Sequence, residues 1–76
     1  MDYTEKFHKA CNNIIANKDA KALNWCVGYA KHGLTCVSRY EIHVQTLYIL
    51  SNMTHWRGDV AKETRELLKA VERATK

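Results

Sequence analysis

Apolar side chains recur along this chain every three or four residues, the period that marks one face of an α-helix. Tyr3, Phe7, Ala10 and Ile14 form the first such stripe, and Cys11 and Ile15 widen it. Lys6, Lys9 and Asn13 face away from it, and Asp2 or Thr4 caps a helix that runs to about Ala16. Asn17-Lys18-Asp19 reads as a tight link in which Asp19 caps a second helix, running to about His32. Leu23, Cys26, Val27 and Ala30 are its inner face. Gly28 inside it costs roughly 1 kcal/mol relative to alanine and offers room for another helix to approach. Gly33, after Lys31-His32, reads as a left-handed C-cap with Leu34 folding back over it.

Leu34 to Val37 then forms a linker. Ser38-Arg39-Tyr40-Glu41 is a capping box, in which the Ser38 hydroxyl meets the Glu41 amide and the Glu41 side chain reaches back. Val37 and Ile42 occupy the staple positions. The third helix carries Ile42, Val44, Leu47, Tyr48, Ile49, Leu50 and Met53, which cover more than one face. It is therefore either central to the fold or the helix that meets a second subunit. Gly58 ends the exit turn and Asp59 caps a fourth helix; starting that helix at Thr54 is the alternative. Val60, Thr64, Leu67, Val71 and Ala74 repeat at heptad spacing there, with Ala61 and Leu68 beside them. Lys62–Glu66 and Glu72–Lys76 stand at i,i+4 on the outer surface.

The pattern predicts one all-α domain over residues 1–76: a small four-helix bundle that dimerises. Composition agrees. Proline is absent, glycine occurs only 3 times, and 46% of the residues are apolar, which suits packed helices and argues against disorder. A chain of 76 residues buries only roughly 60% of its unfolded surface, so its own core is marginal and a second copy would help it. The opening MDYTEKFHKA lacks a basic region followed by an apolar run and is not expected to be a signal peptide, and no apolar run is long enough to span a membrane. The 3 cysteines, an odd number, then predict free thiols and a cytoplasmic setting.

The formal net charge of +4 comes from scattered basic residues and commits the chain to no single acidic partner. His8 and Cys11 lie close enough on one helix to chelate, and His32 and Cys36 straddle the Gly33 turn. No second pair matches either spacing, so neither a metal site nor a cofactor is expected. Cys36 near His32 lacks the orienting group that nucleophilic catalysis needs, and no glycine-rich phosphate loop occurs. The expectation is a protein without catalytic residues. Arg57-Gly58-Asp59 matches an adhesion tripeptide by chance.

Two binding readings remain. Lys62, Arg65, Lys69, Arg73 and Lys76 form a basic row on the fourth helix, which could meet DNA or RNA, although Glu66 and Glu72 flank it. No helix-turn-helix spacing supports that reading. His55-Trp56-Arg57 lies at a helix junction, and Trp and Arg are enriched in interface hot spots. This makes protein binding the leading expectation, with Trp56 as a plug of the bundle end as the structural alternative. Trp25 and Tyr29, off the inner stripe of the second helix, add a second aromatic patch.

From Val44 onward the sequence runs V-Q-x-L-Y-I-L-x-N-x-x-x-W-R-G-x-x-A-K-x-x-R-x-x-L-K. Its residues are Val44, Gln45, Leu47, Tyr48, Ile49, Leu50, Asn52, Trp56, Arg57, Gly58, Ala61, Lys62, Arg65, Leu68 and Lys69. This third of the chain resembles the C-terminal half of small helical proteins encoded by tailed phages and prophages, with Asn52 and Trp56-Arg57-Gly58 as the specific part. The resemblance implies an origin rather than an activity. Small phage proteins of this size often bind and block a host protein, including defence nucleases. The expected partner is thus a host protein or complex in the host cytoplasm.

Overall fold

The computed structural model describes residues 2–76. Asp2 begins the first helix, its carboxylate accepting the Glu5 amide at 2.9 Å, and α1 spans Tyr3–Ala16. A 3-10 turn at Lys21–Leu23 precedes α2, Cys26–Gly33. α3 covers Arg39–Asn52 and α4 covers Asp59–Thr75. Each helix packs on its neighbour in sequence, and α4 also closes back on α1, the pair with the most extensive contact. The fold is an all-helical bundle with extents of 29 × 21 × 18 Å. Among the described residues no helix is long and apolar enough to cross a membrane.

The α1 stripe is buried as its spacing requires: Phe7, Ala10, Cys11 and Ile14 are fully enclosed, with Tyr3 and Ile15 packed at the margin. Asn13 departs from the expected outward orientation. Its side-chain amide donates to the buried Thr64 hydroxyl at 3.1 Å and ties α1 to α4. Lys9 pairs with Glu63 at 3.1 Å across the same interface. Among the described residues neither Lys62–Glu66 nor Glu72–Lys76 forms an ion pair.

The second helix is shorter than expected. Asn17 to Asp19 continue as a turn off the end of α1, with Ala20 N–H donating to Asn17 O at 3.0 Å, and Asp19 caps nothing. Asn24 to Tyr29 is an uninterrupted run of weak helix formers, so a continuous helix through it has little intrinsic support. The 3-10 turn still delivers Leu23 to the core, and Cys26 and Ala30 follow it there. Gly33 is the last residue of α2 and not a left-handed cap, since Gly58 alone has positive φ among the described residues. A Cβ on Gly33 would lie 2.9 Å from both Cys11 Sγ and Phe7 Cζ. That glycine lets α2 press on α1; Gly28, the other candidate for close approach, has nothing within 4 Å.

At the α3 start, Ser38 accepts the Glu41 amide at 3.2 Å and donates to Glu41 Oε1 at 2.8 Å. The box is thus closed side chain to side chain. Val37 is 73% exposed, so the staple with Ile42 does not form. Arg39 donates to the Thr75 carbonyl at 3.2 Å and to the Lys76 carbonyl. Thr75 Oγ1 already donates to Val71 O, so His43 Nδ1 donates to it, at 2.9 Å. A cation and a ring N–H thereby meet the negative end of the α4 dipole. Gly58, φ 112°, is the N-cap of α4, with Asp59 just inside. The buried stripe of α4 is Ala61, Thr64, Leu68, Val71 and Thr75: Thr64 and Val71 are enclosed as expected, while Ala61, Leu68 and Thr75 take the places expected of Val60, Leu67 and Ala74.

Candidate functional site

Cys26 decides where the most exposed aromatic of the chain points. Its thiol enters the core and donates to the Ile49 carbonyl of α3 at 3.6 Å, so the preceding residue turns outward at the mouth of α2. That residue, Trp25, is 79% exposed. One helical turn on, the Tyr29 ring stacks on Tyr48 of α3 with centroids 5.3 Å apart and planes 25° apart. The carbonyl of Tyr29 accepts Gln45 Nε2 at 3.1 Å, and this bond fixes α2 against α3.

Between these groups lies a groove of about 380 Å³, lined by Trp25, Gly28, Tyr29, His32 and Gln45. Gly28 contributes no side chain and so deepens the floor. The cleft is open and largely apolar, with His32 and Gln45 as the polar part of its lining. Exposed apolar surface of this kind marks interaction sites. The sequence marks Trp25 and Tyr29 as a secondary patch, and His32 follows them one turn on along α2; Gln45 and Tyr48 join only because α2 and α3 are adjacent.

Trp56, in the first-choice contact set, is 7% exposed and belongs to the core. Its amide donates to the Met53 carbonyl at 3.1 Å within the α3–α4 connection. His55 and Arg57 flank it and are exposed. Of the basic row, Lys62, Lys69, Arg73 and Lys76 are exposed, whereas Arg65 is half-buried and turned inward. The Arg65 guanidinium donates to the Met53 carbonyl at 3.2 Å and to the Trp56 carbonyl at 2.8 Å, holding the connection shut over α4. It serves as a loop clamp on two carbonyls of the connection, a task that charge patterning does not reveal.

The cysteines are free and buried. Burial, with the Cys36 charge second, pushes the Cys11 thiol up to about 12, and burial pushes Cys26 to about 11. Cys36 is also raised, by burial and then by Glu41. Thiols held protonated in this way are poor nucleophiles at neutral pH. Cys36 donates to the backbone carbonyl of His32 at 3.6 Å, and His8 Nε2 donates to the Cys36 carbonyl at 3.2 Å. The sequence pairs His8–Cys11 and His32–Cys36 therefore do not converge, and among the described residues no three His, Cys, Asp or Glu side chains gather as a metal site would require.

Fold and surface together define a small helical bundle with an aromatic cleft between two helices. Comparison with protein-family models, curated proteins and solved structures gave no match. The phage resemblance thus rests on the residues from Val44 to Lys69 that carry it.

Proposed function

We propose that this chain is a small non-enzymatic binding protein of the phage type, which docks on a host protein and blocks it. A defence-system component is the target class that fits such an origin. The observation that carries the reading is the exposure of Trp25 beside Tyr29 over an open apolar groove. Trp and Tyr are the side chains that most often dominate binding energy, and a half-formed pocket beside them suits an apolar anchor. With a net charge of +4, the favoured partner segment is an aliphatic or aromatic side chain with acidic neighbours. The bundle acts as a homodimer in the host cytoplasm. This assignment moves the contact from Trp56, which the core encloses, to α2; His55 and Arg57 remain accessible for an edge contact.

Affinity capture from nuclease-treated host lysate tests it. Wild-type protein retains a defined host protein, and Trp25→Ala with Tyr29→Ala loses it while keeping the helical circular-dichroism signal. Equal retention by the double variant would remove the groove from the function.

The second reading, DNA or RNA binding by α4, draws on the exposure of Lys62, Lys69, Arg73 and Lys76 along one helix. It predicts retention on nucleic acid that falls steeply with salt. No mobility shift at low salt would end it.

A further inference from the structure

The groove of Trp25, Gly28, Tyr29, His32 and Gln45 holds a polar atom that the fold orients and does not use. The carbonyl of Tyr29 can only accept, so Gln45 must turn its amide nitrogen toward it, and that bond is 3.1 Å long. The choice fixes the amide. Its oxygen points the other way, and among the described residues nothing donates to it. Nor is that oxygen enclosed. Among the described residues no buried side-chain oxygen or nitrogen lacks a partner, so Gln45 Oε1 reaches the surface. Gln45 is only 8% exposed, and the groove is the opening that it lines. A largely apolar cleft therefore carries one oriented, unused acceptor.

We infer that the groove takes the indole of a tryptophan presented by the partner protein, with the indole N–H donating to Gln45 Oε1. The inference rests on the binding reading above and names the side chain that the site receives. An indole is a large apolar body with one donor and no acceptor, the complement of this lining. An aliphatic anchor would strip water from the Gln45 oxygen and give it nothing in return, which weakens binding by about fivefold or more.

The walls select a ring as well. Trp25 offers a ring that is 79% exposed, and the Tyr29 ring is held by its stack on Tyr48, with centroids 5.3 Å apart. Flat aromatic surfaces set in place favour a flat occupant over a branched one. A phenol also donates, but its single ring covers less of Trp25. A nucleobase is flat and carries amino donors, yet its phosphate would meet no cation. Among the described residues no lysine or arginine lines the groove. The volume of about 380 Å³ is near the lower end of the roughly 300–1,000 Å³ of ligand clefts, which suits one large side chain and not a helix.

NMR titration of the isotope-labelled full chain with N-acetyltryptophanamide tests the site. The Gly28 backbone amide and the Gln45 side-chain amide shift together. The probe methylated on the indole nitrogen binds about three- to tenfold more weakly, the loss expected for one hydrogen bond. The probe methylated on the benzene ring binds as the parent does, which separates the missing donor from the added size. In Gln45→Leu the preference for the free N–H disappears. That variant also loses the bond to Tyr29, so the two methylated probes on the wild type decide the matter if it fails to fold.

Equal binding of the two methylated probes overturns the proposal. So does tighter binding of N-acetyltyrosinamide, N-acetylleucinamide or adenosine monophosphate, or a tryptophan probe that moves neither amide at its solubility limit. Should the methylated probes bind alike while capture of the host protein still depends on Trp25 and Tyr29, the tryptophan assignment falls and the binding function stands.

Discussion

A methyl group on Gly33 would need space that Cys11 and the Phe7 ring already fill, both fully buried and without room to retreat. Gly33→Ala is therefore expected to destabilise the bundle by about 1–3 kcal/mol, the usual range for overpacking a core, and a urea melt measures it. An unchanged midpoint would mean that α1 and α2 part easily. Gly28→Ala has the opposite sign. Nothing surrounds the new methyl, and alanine gains about 1 kcal/mol over glycine within a helix. The variant should melt later yet bind less, because the methyl rises from the groove floor. Higher stability with undiminished partner capture would place the partner elsewhere.

The buried thiols make stability depend on pH on the alkaline side. Burial pushes the Cys11 thiol from its ordinary 9.0 up to about 12 in the fold. Below about pH 9 both folded and unfolded chains keep the proton, and stability does not depend on this group. Between about 9 and about 12 the unfolded chain loses it first, so stability falls by about 1.4 kcal/mol per pH unit for that thiol. Cys26 adds to the slope up to about 11. Denaturant midpoints measured from pH 8 upward should show the decline, shallower in Cys11→Ala. Parallel slopes in the two proteins would assign the loss to other groups.

Among the elements, the α3–α4 connection depends on one side chain. Arg65 reaches back from the second turn of α4 to two carbonyls of the loop, at Met53 and Trp56. Charged hydrogen bonds of this kind are worth roughly 1.5–3 kcal/mol each when buried, less here because the group is half-exposed. Arg65→Ala should cost about 1–2 kcal/mol and loosen Trp56, seen as a red shift of tryptophan fluorescence; Lys69→Ala should do neither. If the two behave alike, the clamp carries no load. The distinction was not legible in the sequence. Both residues lie in the same basic row, and only the return path of the loop decides which one meets carbonyls.

The same limit explains where helix boundaries were and were not readable. Asp2 and Ser38 announced α1 and α3 because a capping side chain acts on amides three residues away, a distance that sequence records. Asp19 offered the same sign and caps nothing, because the turn leaving α1 continues past it. Neither Gly33 nor Gly28 takes the role its position suggests: the first is packed against α1, the second lies open on the groove. A glycine states that no side chain is present, and the reason belongs to its neighbours in space.

For the whole molecule, four helices and their order were written in the periodicity, and so was the surplus of apolar residues on α3. That surplus is the sum of two stripes facing opposite ways, one met by the bundle and one left outside. Local pattern determined the all-helical class, most of the core and the outward direction of Trp25 and Tyr29, because helical period and capping act within a few residues. Tertiary structure alone decided that Trp56 is enclosed, that Arg65 is a clamp, and that Gln45 of α3 joins Tyr29 of α2 in one groove. Each of these depends on which helix lies beside which, and such contacts between distant residues leave no mark in the spacing of either segment.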